Sequence, residues 1–176
     1  AFSDPELQKR TGKANLHIYC DAEGIIWTCN WEQQGIYELI PFCTVVKGYS
    51  ANPREKNSLS SGLISTIIPG PQGKVWMGTA DGINIFDPVT ETFDVLREKD
   101  LPGLKGTAII PICIDTLKHK AWVNAGSQKT PREYFNMSMY EMDLQTRRCK
   151  RIIFFDGPKQ IDSFSVPPTL VRSYKG

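Results

Sequence analysis

The chain has 176 residues, of which 40% are hydrophobic and 23% charged, a balance typical of a folded globular domain and unlike that of a disordered one. Its formal net charge of +2 is too small to argue for a nucleic-acid or membrane-surface partner. No apolar run reaches the 18 residues of a membrane span, and the opening Ala1-Phe2-Ser3-Asp4-Pro5 lacks the basic start and apolar stretch of a signal peptide.

In chain order, residues 1–14 are expected to form an N-terminal segment or a stray strand. A first repeat unit is expected over 15–62. Leu16 to Cys20 is its first strand, Asp21-Ala22-Glu23-Gly24 its turn, Ile25 to Cys29 its second strand and Gly35 to Leu39 its third; Thr44 to Lys47 is a weaker fourth. The second unit, 63–108, is the clearest. Leu63 to Pro69 leads through Gly70-Pro71-Gln72-Gly73 into Lys74 to Thr79. Ala80-Asp81-Gly82 then opens Ile83 to Asp87, and Pro88-Val89-Thr90-Glu91 opens Thr92 to Leu96. Strands of about five residues punctuated by Gly, Pro and Asp clusters are a hairpin signature. Gly24, Gly73 and Gly82 are the residues expected to take positive φ cheaply in those turns.

The third unit, 109–165, is more divergent. Its expected strands are Ile109–Asp115, Ala121–Asn124, Ser138–Asp143 and Arg148–Phe154, with a long insertion from Ser127 to Asn136. Residues 166–176 look like the opening strand of a further unit. Residues 50–61, 99–106 and 157–168 read as connections, and nothing reads as a long amphipathic helix.

Trp27, Trp76 and Trp122 recur at spacings of 49 and 46 residues. A period in the forties suits one four-stranded propeller blade. The expectation is therefore an all-β chain: a partial β-propeller of about three antiparallel four-stranded blades plus one strand of a fourth. The three tryptophans would be its blade-to-blade anchors, each burying on the order of 200 Å².

The stretch from Asn57-Ser58-Leu59-Ser60 through Gly73-Lys74-Val75-Trp76-Met77-Gly78-Thr79 to Gly82-Ile83-Asn84-Ile85-Phe86-Asp87-Pro88 resembles the two-component regulator propeller repeat. The first unit keeps Asp21, Gly24, Ile26, Trp27 and Gly35 of that pattern, and the third little beyond Trp122, Gly126 and Asp143. The resemblance implies a piece of the extracytoplasmic sensor region of a Bacteroides-type hybrid two-component system. Such a region detects oligosaccharides at the periplasmic face of the inner membrane and signals to a cytoplasmic histidine kinase. The chain starts without Met and ends on Lys175-Gly176, in mid-pattern, and is read as part of something longer. The kinase motifs are absent from it. Ligand residues are not part of the repeat motif, so none is carried over.

Rim insertions with aromatic and amide groups suit sugars, because a flat ring stacks and amides bond hydroxyls. That makes Trp31, Gln33, Gln34, Arg132 and Tyr134 the candidate ligand contacts. No catalytic residue, metal or cofactor is expected. His17 and His119 share no cluster, and the five cysteines, Cys20, Cys29, Cys43, Cys113 and Cys149, contain no CxxC pair. Cys20, Cys29 and Cys113 lie in apolar runs and are expected to behave as small core hydrophobes. The basic run Arg147-Arg148-Cys149-Lys150-Arg151 reads as a solvated strand edge. A propeller-fold carbohydrate hydrolase or lyase, and a purely structural or dimerising scaffold, stand as alternatives. Three and a half blades cannot close a ring, so self-association through exposed blade faces is expected.

Overall fold

The computed structural model describes residues 17–30, 35–40, 46–127, 136–156, 158–161 and 164–165. Twelve strands fall into three consecutive groups of four. The first group is β1 (His17–Cys20), β2 (Ile26–Asn30), β3 (Gly35–Leu39) and β4 (Val46–Ser50), a four-stranded antiparallel sheet in sequence order. The second is β5 (Ile64–Pro69), β6 (Val75–Thr79), β7 (Gly82–Asp87) and β8 (Thr92–Leu96). The third is β9 (Ala108–Asp115), β10 (Lys120–Ser127), β11 (Asn136–Asp143) and β12 (Cys149–Arg151). A ladder pair between Thr79 and Ile109 joins the second and third groups. It also fixes a common polarity: β6 and β10 finish at one end of the molecule, called here the upper end. The only helical pieces among the described residues are two single 3-10 turns, Pro71–Gly73 and Glu98–Asp100.

The three tryptophans sit in the second strand of each group. Trp27 lies between Tyr19 and Glu38, Trp76 between Ile68 and Ile85, and Trp122 between Cys113 and Glu141. Period-two alternation sends Trp27 and Trp76 toward the following group. Trp27 and Cys29 pack with Ile64, Ile67, Val75, Met77 and Phe86 of the second group. On the other face of that sheet, Trp76, Ile83 and Ile85 pack with Ile109, Ala121, Val123, Tyr140 and Met142 of the third. Strand β6 is therefore enclosed on both sides, and all five of its residues are buried. Trp27 is 0% exposed and Trp76 6%. Trp122 is only half-buried, because no further described sheet packs on its side.

The turn residues have local causes. The Trp27 Nε1–H donates to Asp21 Oδ2 (2.9 Å), and the Ile25 amide donates to Asp21 Oδ1 (2.8 Å). The first turn thus holds the indole that fills the interface. In the second group the corresponding turn begins at Gly70, where a Cβ would lie 2.2 Å from Trp76 Cδ1. At Gly78 a Cβ would meet Pro111 Cδ and Thr66 Oγ1 at 2.7 Å and Ile110 Cα at 2.8 Å. Glycine there lets the inner strand β9 come close. Pro111 sits in β9 beside a register shift opposite Trp122/Val123, where a residue without an N–H is tolerated.

Asn84, the polar residue between Ile83 and Ile85, is 0% exposed. Its Oδ1 accepts from the Ser60 amide (2.8 Å), and its Nδ2 donates to Ser60 Oγ (2.8 Å) and Thr79 Oγ1 (3.3 Å). Asn57 does the same for the outer strand, donating to Glu91 O and accepting from the Phe93 amide. Asn84 thus holds the 51–62 connection at the upper end of the sheet, and Asn57 holds it on the outer strand near the lower end. Several sequence expectations need correction. Cys29 is buried, whereas Cys20 and Cys113 are exposed, because each lies on a sheet face with no described neighbour. The fourth strand of the first group begins at Val46 and runs to Ser50. Residues 148–154 are not one strand, and 157–168 is not bare connection. Strand β12 stops at Arg151; β13 (Phe154–Asp156) pairs with β14 (Lys159–Ile161), and β15 (Phe164–Ser165) returns to the free start of β11.

Candidate functional site: a cleft at the upper end between the second and third sheets

The connection from β8 to β9, residues 97–107, builds the candidate site. Leu101 and Leu104 are buried in the core between the two sheets and anchor it there. Its backbone is drawn tight against the third sheet: the Cys149 amide donates to Pro102 O (2.8 Å). Gly103 and Gly106 have φ of +94° and +128°, and a Cβ on either would lie within 2.5 Å of Cys149 O or the Gly126 backbone. Only glycine allows both the left-handed backbone and the close approach.

On either side of this strap the surface opens into adjoining clefts of about 500 and 470 Å³, within the size range of small-molecule sites. The first is lined by Asp81, Arg97, Glu98, Lys99, Lys105 and the strap backbone. The second is lined by Glu98, Lys105, Ser127, Ser138, Tyr140 and Arg151 over a floor of Gly103, Gly106 and Gly126. The Arg97 guanidinium is set by two contacts at 3.1 Å to Asp81 Oδ2, through Nε and Nη2. Its backbone N–H donates to Asp100 Oδ2 (3.0 Å). Asp81 is held in turn, since its amide donates to Thr79 Oγ1 (3.1 Å), which donates to Gly82 O (2.9 Å). Lys105 reaches Glu98 at 3.9 Å and is otherwise open to solvent. Tyr140 is 4% exposed, its ring in the core while the residue lines the cleft. The arrangement offers fixed donors and acceptors on a partly apolar floor. Among the described residues no cluster of three or more His, Cys, Asp or Glu can hold a metal.

Trp31, Gln33, Gln34, Arg132 and Tyr134 lie outside the described residues. Strands β2 and β10 finish, and β3 and β11 begin, at the same upper end as the clefts, so both insertions depart from that rim. The residues expected as anchors are all described: Trp27 and Trp76 are buried between sheets, Trp122 is half-buried, and Gly24, Gly73 and Gly82 have φ of +83°, +72° and +108°. Sequence reasoning missed Arg97, Glu98, Lys105, Tyr140 and Arg151, having read 99–106 as a plain connection. The signal lay in two glycines embedded among Arg97, Lys99 and Lys105.

The three sheets pack face to face and share a polarity, and solved structures match that arrangement. The extracellular domain of the putative hybrid two-component system BT3049 from B. thetaiotaomicron superposes with a TM-score of 0.65 at 18% identity, covering 81% of this chain. The fold is that of a β-propeller segment. YCF48 from Cyanidioschyzon merolae matches at a TM-score of 0.50 and 13% identity, over 87% of this chain and 48% of its own. The chain spans about a fifth of the length of the BT3049 domain, 18%. No protein-family model matches the chain, and no curated protein does. Each group of four strands is referred to below as a blade.

Proposed function

We propose that this chain is part of the extracytoplasmic ligand-sensing propeller of a two-component sensor, divided into blades at 15–62, 63–108 and 109–165. In this reading it holds an oligosaccharide at the upper rim and passes the signal to a cytoplasmic histidine kinase. The observation that carries the reading is the likeness in fold to the extracellular domain of a hybrid two-component system. The rim supports it. Its clefts combine a positioned guanidinium with hydroxyl-bearing and charged residues, groups that hydrogen-bond sugar hydroxyls. The strands that flank the insertions carrying Trp31, Gln33, Gln34, Arg132 and Tyr134 end at the same rim. The chain supplies binding, and no catalytic step is assigned to it. No helix among the described residues is long and apolar enough to cross a membrane.

Titration calorimetry with a panel of plant and host oligosaccharides tests the reading. One member should give saturable heat, and amide shifts on binding should centre on Arg97, Lys105 and Tyr140. Arg97→Ala should weaken that affinity about tenfold, the value of a hydrogen bond to a charged group. Shifts confined to the lower end, or no heat from any member, would refute it.

A further inference from the structure

The clefts beside the 97–107 strap lie between the second and third blades, away from both ends of the stack. Their walls carry an excess of positive charge. Four cations line them, Arg97, Lys99, Lys105 and Arg151, against two carboxylates, Asp81 and Glu98. Those carboxylates leave much of the positive charge uncommitted. Asp81 is taken up by Arg97, at 3.1 Å through both Nε and Nη2. Glu98 borders both clefts but reaches Lys105 only at 3.9 Å, and the Lys105 side chain is 86% exposed. Lys99 is exposed and forms no ion pair among the described residues.

The fold sets where two of these cations stand. Lys105 follows Leu104, which is buried in the core, and precedes Gly106, whose backbone lies against Gly126. Arg151 lies directly across the ladder from Tyr140. Alternation therefore puts it on the cleft side of the third sheet and Lys150 on the opposite side. Lys105 and Arg151 both line the second cleft, over its floor of Gly103, Gly106 and Gly126, with Ser127 and Ser138 on the same wall. The described walls offer no open aromatic face on which a neutral sugar ring could stack. Tyr140 is the one aromatic residue among their lining, and it is 4% exposed.

We propose that the oligosaccharide held at the upper rim is an acidic one, whose carboxylate or sulfate sits between Lys105 and Arg151 over the glycine floor. The inference rests on the reading of the rim as a saccharide site and narrows it to one charge class. An anion there gains charge-assisted hydrogen bonds from both cations. A floor without Cβ atoms lets it come close to the backbone. Ser127 and Ser138 are placed to meet neighbouring sugar hydroxyls, which both donate and accept. Glu98 repels the same anion and weakens its hold.

Calorimetry of the full chain with acidic tetrasaccharides and their neutralised counterparts tests it. The carboxylate probes are galacturonate, glucuronate-containing and mannuronate oligomers, each paired with its methyl ester. The sulfate probe is a chondroitin sulfate oligomer paired with its desulfated form, and galactotetraose is the neutral reference. One acidic member should bind saturably, and neutralising its anion should cost at least about tenfold in affinity. Lys105→Gln and Arg151→Gln should each weaken it about tenfold. Lys150→Gln makes the same change in net charge on the opposite side of the sheet and should leave the affinity as it was. Glu98→Gln should tighten binding roughly two- to fivefold, a gain that damage to the fold does not produce. A neutral member that binds as tightly as any acidic one overturns the charge assignment and leaves a saccharide site standing. So does an acidic ligand that Lys105→Gln leaves unaffected and Glu98→Gln weakens. Silence from every member, acidic and neutral alike, overturns both readings.

Discussion

Replacing Gly78 by alanine probes the closest approach between two blades. Its Cβ would sit at 2.7 Å from Pro111 Cδ and Thr66 Oγ1 and at 2.8 Å from Ile110 Cα, whereas unstrained carbon contacts lie at about 3.5–4.0 Å. An overlap of nearly an ångström on two atoms of a neighbouring inner strand has to be relieved by moving that strand. Overpacking of this kind costs about 1–3 kcal/mol. Removing a glycine from the unfolded chain returns about 0.4–1 kcal/mol. The net expectation is a loss of about 1–2 kcal/mol, which for a chain of this length lowers Tm by about 2–8 °C. Gly48→Ala is the matched control, since its Cβ would meet only Tyr37 at 3.4 Å, an ordinary contact, and it should be neutral or slightly stabilising. Urea titration followed by tryptophan emission, together with calorimetry, reads both. If Gly78→Ala proves as stable as Gly48→Ala, the blades do not approach as described.

Asp21→Ala should cost about 2–3 kcal/mol, because it strands the indole N–H of a fully buried tryptophan and a turn amide; Asp21→Asn, which keeps an acceptor, should lose less in the same urea titration. Asn84→Ala should cost a similar amount by leaving the Ser60 amide and Thr79 hydroxyl short of a partner, and faster hydrogen exchange at Ser60 would report it. Burial, together with Glu38 and Glu91, holds the Tyr49 hydroxyl well above the ordinary phenol range. A pKa raised in the folded state gives stability that is intact below the unfolded value of about 10 and declines as pH rises past it. Urea midpoints should therefore fall above pH 10, and Tyr49→Phe should flatten that fall. Burial pushes the Cys149 thiol up to about 11, so at pH 8 it should hold on the order of a hundredfold less thiolate than an ordinary cysteine. Mass spectrometry after brief alkylation should find Cys149 still unmodified when a reference thiol is consumed.

Period and punctuation made most of the fold readable before any coordinates. The spacing of Trp27, Trp76 and Trp122 gave the repeat, and the Asp-Gly and Pro-Gln-Gly clusters placed the hairpins, since both are local properties of strands that alternate and turns that need left-handed residues. What escaped depended on contacts distant in sequence. The burial of Asn84 rests on Ser60 and Thr79, which satisfy its amide from other segments. Cys20 and Cys113 looked like core because composition reports an apolar strand and not whether another sheet lies on it. The return of β15 to β11 left no periodic trace in a two-residue strand. The clefts were invisible for the same reason: they form where a connection folds back on a third sheet, and only the glycines that permit this are written locally.

The two ends of the stack are built differently. At the lower end, every described hairpin turns through a left-handed residue: Gly24, Gln72 and Gly73, Glu91, His119 and Arg147. Four of these six are not glycine. Such loops are short and conformationally committed, and a residue added to one would shift its ladder by a step and turn the blade inside out. At the upper end the strands run on to unequal lengths, and the links vary from the tight Thr79–Gly82 turn to the eight residues between β10 and β11. Grafted loops, affinity tags or diversified libraries therefore belong on the upper rim, where length is already variable and the packing beneath does not register the change.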